Sequence, residues 1–154
     1  MSLNNITLAN DYLNESKLRI ETAENALIKK AHAYCIRQSQ EAMELSLKAA
    51  LRIIGVDFPK WHDIGEVLLR EKEKFPNEFQ EHVSNMALIS AALTKKREPA
   101  MYGDELSAMP PSKIFNEKDA DDALKNAKFC YSHVDGLIKS LNENSKKEKI
   151  GKSK

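Results

Sequence analysis

The stretch Ala33-Tyr34-Cys35-Ile36-Arg37-Gln38-Ser39-Gln40-Glu41-Ala42-Met43-Glu44-Leu45-Ser46-Leu47-Lys48-Ala49 holds no Gly, no Pro and no strand-like alternation. With its neighbours it places Ala31, Tyr34, Cys35, Ala42, Leu45 and Ala49 along one stripe. Ile36, Met43, Leu47, Ala50, Leu51 and Ile54 fall on other flanks. Apolar positions on more than one flank predict a helix covered from several sides, hence a central one. Gly55 ends it, because a residue without Cβ turns the chain left-handed at little cost.

Upstream, from about Asn5, there is again no Gly or Pro. A single helix from there to Gly55 would far outrun a small domain at about 1.5 Å per residue. A tight break is therefore expected near Lys29-Lys30, after a first helix carrying Leu13, Leu18, Ile20, Ala23, Leu27 and Ile28. Downstream, Val56 to Trp61 is a connector containing Pro59. Asp63 is the expected N-cap of a short helix from Ile64 to about Lys74, with Glu66 completing a capping box. Phe75-Pro76-Asn77 breaks the chain. A fourth helix, about Asn77 to Lys96, turns Phe79, Val83, Met86, Ile89, Ser90 and Leu93 inward. The segment Arg97 to Lys118 is rich in Pro and Gly and is expected as a long loop, a kind of segment that is often functional. The last helix starts near Asp119 and has the cleanest stripe: Ala120, Ala123, Leu124, Ala127, Tyr131, Val134, Ile138 and Leu141. Residues 1–141 form one domain, and 142–154 a flexible lysine-rich tail. The expected fold is all-α, an up-and-down antiparallel bundle of about five helices.

Composition agrees. The 154 residues suit one domain that folds without disulfide or metal. Basic side chains number 24 and acidic ones 23, so bulk charge alone cannot hold nucleic acid, though a local basic patch can. No run of about 18 apolar residues exists, so no membrane span is expected. The N-terminus lacks a secretory pattern, which points to the cytoplasm. Cys35 and Cys130 fall on apolar faces as free thiols. His32, His62, His82 and His133 are scattered without ligand spacing, so no metal site is expected. Trp61-His62-Asp63 reads as helix entry. Neither a Gly-rich phosphate loop nor Gly-x-Ser-x-Gly is present.

Two charged groups remain as candidates. Glu41, Glu44 and Lys48 lie within two turns of the central helix; if partly buried they must be paired, and they can line a groove or a dimer surface. Lys95-Lys96-Arg97 closes the fourth helix, where cations suit the helix dipole. The planar fork of Arg97 also suits a phosphate or carboxylate. Tyr102 and Asp104 come within reach if the segment folds back; the three can bind a nucleotide or simply tie the loop down.

From about Leu8 to Leu141 the order of these features resembles the HEPN domain, the helical module named for higher eukaryotes and prokaryotes nucleotide-binding. The aromatic, Gln, Ala-x-Glu and Leu-Lys-Ala-x-Leu pattern of its second helix is similar to Tyr34 through Leu51. Gly55-Val56, Pro59 and His62-Asp63-Ile64 match its connector. Arg97-x4-Tyr102-Gly103-Asp104 falls where the family places its Arg motif, and Ala120-x2-Ala123-Leu124-x2-Ala127 fits its last helix. The resemblance implies a helical bundle that commonly dimerises. Many members are ribonucleases, often toxins paired with a minimal nucleotidyltransferase. They carry an Arg followed after four to six residues by a His. Here the Arg is Arg97, and Tyr102, Gly103 or Asp104 stands where the His would be. A tyrosine seldom exchanges protons near neutral pH. The expectation is a non-catalytic, homodimeric module in a toxin–antitoxin-like pair. It would bind a nucleotide, an RNA phosphate or a nucleotidyltransferase through Arg97, Tyr102, Asp104, Glu41, Glu44 and Lys48, with no cofactor. The alternatives are a metal-independent ribonuclease using Tyr102, Asp104 or His62 as base, and a structural adaptor.

Overall fold

Six helices appear in the computed structural model, which describes residues 3–58 and 63–152. They are α1 (Leu3–Ile28), α2 (His32–Ile53), α3 (Ile64–Arg70), α4 (Asn77–Tyr102), α5 (Pro111–Ile114) and α6 (Glu117–Lys152). A 3-10 turn, Lys72–Lys74, follows α3. There is no strand among the described residues, only one antiparallel bridge between Asp104 and Met109. The chain is an all-α antiparallel bundle, as its sequence predicts, with α5 as an added single turn. Pro59, Trp61 and His62 lie outside the described residues.

α2 is central: it packs on α1, α4 and α6 and touches α3 and α5. Ile36, Met43, Leu47 and Leu51 are fully buried on its several flanks. Ser16 Oγ donates to the Ala42 carbonyl at 2.6 Å and pins α1 to it. Both cysteines are buried. Burial pushes the Cys130 thiol up to about 12 and raises that of Cys35, so neither is a nucleophile near neutral pH.

The two ends flanking the α1–α2 pair are built alike. After α1, Lys30 N–H donates to Leu27 and Ala31 N–H to Ala26. After α2, Gly55 N–H donates to Arg52 and Val56 N–H to Leu51. Each is the paired bond of a Schellman end, closed by a residue of positive φ, 59° at Lys30 and 77° at Gly55.

Four boundaries differ from the sequence expectation. α3, expected to reach about Lys74, ends at Arg70, and Lys72–Lys74 form the 3-10 turn instead. α4 does not stop at Lys96 but runs through Pro99 to Tyr102. The extra turn places Ala100, only 3% exposed, in contact with the core. Gly103 then ends the helix at φ 76°, its N–H donating to the Pro99 carbonyl. The expected long loop shrinks to the hairpin 103–110 and α5. α6 begins at Glu117, two residues early, because Asn116 and Asp119 cap each other: each backbone N–H donates to the other's side chain. Residues 142–152, expected as a flexible tail, continue α6 as helix. No Pro interrupts them, and Lys and Glu are good helix formers.

Candidate functional site

Asp63 builds one wall of the site. Its Oδ1 accepts from Gly65 N–H at 2.9 Å, which caps α3 as expected, and from Ser90 Oγ of α4 at 3.2 Å. The cap thus also ties the start of α3 to α4. Behind it α3 and α4 pack unusually close. A Cβ on Gly65 would stand 3.1 Å from the backbone of Ala87.

Between α2, α3 and α4 lies a groove of about 440 Å³. Gln40, Met43 and Glu44 line it from α2, Asp63 and Ile64 from α3, and Ser90, Ala91, Thr94, Lys95 and Arg97 from α4. Glu44 is held on both oxygens: Gln40 Nε2 donates at 3.3 Å and Lys48 Nζ sits at 3.5 Å. Lys48 and Arg52 lie over the Phe58 ring, at 5.6 and 5.0 Å from its centroid. On the α2 wall Glu44 is therefore matched within the helix, while Gln40 Oε1 is buried without a hydrogen-bond partner among the described residues.

The α4 wall is different. Arg97 is exposed and has no hydrogen bond or ion pair. The sequence holds five arginines. Arg19, Arg52 and Arg70 each meet a carboxylate, and Arg37 lies over the Tyr34 ring. Arg97 alone has neither an ion pair nor a ring contact among the described residues, and Arg37 is held by its ring contact without a hydrogen bond at Nε. Lys95 beside it is exposed and equally unpaired. Two unpartnered cations thus stand on one wall of the groove, opposite the carboxylates of Glu44 and Asp63, and a guanidinium fork has the geometry to meet a phosphate or carboxylate.

The other candidates are not gathered here. Tyr102 and Asp104 line a separate hollow of about 840 Å³ with Glu98, Pro99, the hairpin and Lys113. Only Thr94 and Lys95 border both spaces. Asp104 ties down the hairpin: its Oδ1 accepts from Leu106 N–H at 3.0 Å and Ser107 N–H at 3.4 Å. Tyr102 is 64% exposed. Glu41 turns away from the groove to pair with Arg19 of α1 at 3.3 Å. Gln40 and Ser90 were not among the sequence candidates. Gln40 had a signal, four residues before Glu44 on one helix face, whereas Ser90 reads as core.

A second polar cluster lies farther along α4. His82 stacks on His133 of α6 at 3.8 Å between centroids, with Phe129 edge-on to both. Burial, together with His82, holds the His133 imidazole below its ordinary range.

The family model of the HEPN domain matches residues 9–137. The chain belongs to the HEPN family. Its HEPN fold is shared with two solved structures. One is TT1696 from Thermus thermophilus, 23% identical, with a TM-score of 0.65 over 84% of this chain and 97% of that one. The other is ST0689, an archaeal HEPN homologue, 22% identical, with a TM-score of 0.64 and the same coverage. At these identities the likeness shows the fold alone. A comparison with curated proteins finds no match.

Proposed function

We propose that this HEPN chain is a non-catalytic module that binds a nucleotide or RNA phosphate in the groove between α2, α3 and α4. The observation that carries it is the free fork of Arg97, the one arginine left without a partner among the described residues. Arg97 takes the phosphate, Lys95 adds charge, and Gln40 and Glu44 form the facing wall. Catalysis is left out of the proposal because Tyr102 stands five residues after Arg97 and lines the neighbouring hollow.

Thermal melting with ATP, GTP and short RNA oligomers, beside an Arg97→Ala variant, tests it. A ligand at 100 times its dissociation constant adds about 2.7 kcal/mol of stability. That gain is expected in the wild type and lost in the variant. No response to any of these ligands, or an equal response in both proteins, would sink the proposal and turn the search to a protein partner such as a nucleotidyltransferase.

A further inference from the structure

We propose that the end of α6, Asn142–Lys152, is a cationic arm that holds a sugar-phosphate backbone, which makes RNA rather than a free nucleotide the ligand of this chain. The inference deepens the phosphate-binding reading and rests on it for the ligand's chemistry. Its contact surface is separate from the groove.

The arm lies beyond the shared domain. The HEPN match ends at residue 137, and the last core side chains are Ile138, which is buried, and Leu141, which is partly so. α6 nevertheless continues as helix to Lys152. The eleven residues from 142 to 152 add about 16 Å at about 1.5 Å per residue.

Charge sets the arm apart. Residues 142–154 carry five lysines and two glutamates, a balance of +3. The whole chain has net charge +1, so residues 1–141 carry −2. A bundle of that sign repels a polyphosphate unless a local cationic surface offsets it. Along the body of the protein six lysines, Lys48, Lys74, Lys118, Lys125, Lys128 and Lys139, meet a carboxylate, and others, Lys95 among them, do not. Lys146, Lys147 and Lys149 are exposed and meet none among the described residues.

The shape of the arm selects among anionic partners. A helix that lies on a bilayer needs an apolar face beside its cations. Within 142–152 the one large apolar side chain is Ile150. A backbone of phosphates needs no such face.

Position excludes a mononucleotide as the joint ligand of arm and groove. α4 and α6 run antiparallel: His82 meets His133 at one end, and Lys96 interacts with Asp122 at the other. Arg97 lies fifteen residues along α4 from His82, about 22 Å at about 1.5 Å per residue. The arm leaves past the His82 end. Only a chain of nucleotides can touch both.

The test is fluorescence anisotropy with a labelled uridine oligomer, titrated at several salt concentrations. Wild type is compared with a fourfold variant, Lys146→Gln, Lys147→Gln, Lys149→Gln and Lys152→Gln. The variant should bind roughly tenfold more weakly at low salt. Its plot of log affinity against log salt should be shallower by about 2–3, given about 0.7 per single-strand phosphate contact. Its melting temperature and its response to ATP should match wild type. Equal affinity and equal slope in the two proteins would overturn the arm. So would unchanged RNA affinity with loss of binding to phosphatidylserine vesicles, which would assign the lysines to a membrane. Failure of the groove reads differently: Arg97→Ala would then leave ATP and RNA responses untouched while the fourfold variant still weakened RNA.

Discussion

On α2 most polar side chains lie inside the bundle, and several are spent on one another. Gln38 accepts from Arg19, Ser46 Oγ donates to the Met43 carbonyl, and Glu44 is held by Gln40 and Lys48. On the last turns of α4, Lys95 and Arg97 stand in solvent with nothing to hold. The difference follows from burial. A polar group taken from water without a partner costs about 1–3 kcal/mol, which favours matched groups on an inner helix, yet α2 also buries Arg37 Nε, Gln40 Oε1 and Arg52 Nε without one among the described residues. An outer turn is under no such demand, and what it leaves unmatched is free for a ligand. Sequence alone could not separate the two, because Glu44 and Arg97 look equally charged on paper.

The contrast can be broken at either helix. The largest effect is expected on α2. Leu47→Ala, at a fully buried position, should lose about 2–5 kcal/mol in urea unfolding. A loss below about 1 kcal/mol would mean α2 is not the centre of the core.

A smaller effect is expected where α4 meets α6 at the histidine stack. His133 is held below its ordinary range in the fold, first by burial and then by His82. The unfolded chain therefore binds more protons below the ordinary histidine pKa of about 6.5. Stability should be intact above that value and fall as pH drops through it, and His133→Phe should flatten this part of the profile. A wild-type curve that is flat or rises toward acid would contradict it.

The smallest effect on stability is expected at the far end of α4. Arg97→Ala should change unfolding free energy by less than about 0.5 kcal/mol, since the side chain touches nothing it would lose. A larger loss would show that Arg97 is structural and remove the basis for the groove.

Much of the bundle was legible in the sequence. The break at Lys29-Lys30, the end at Gly55, the Asp63 cap and the inward faces of α4 and α6 follow from period, Gly and capping chemistry, whereas Tyr34 of the expected α2 stripe is exposed. The extension of α4 past Pro99 was not legible. Proline disfavours a helical residue before it, and only the burial of Ala100, a tertiary fact, outweighs that local rule. The cap at Asn116 was readable from Asp119 three residues on, but the Pro-rich run before it suggested a longer loop. The site was legible in its members and not in its grouping. Arg97 and Glu44 were in view, yet Lys48 lies over Phe58, Tyr102 and Asp104 belong to another hollow and Glu41 to another face. Side chains five residues apart on a helix point in different directions, so an unforeseen extra turn reassigns every residue within it.

The contact between Gly65 and Ala87 acts as a caliper for the groove. Two backbones meet there, and a single added carbon would press on Ala87 at 3.1 Å. The gauge of the opening between Ile64 and Ser90 is therefore set by main chain, independent of the side chains that line it. Residues on the walls can change to suit one ligand or another while the slot keeps its width. A methyl group at position 65 would instead open the jaws for every ligand at once.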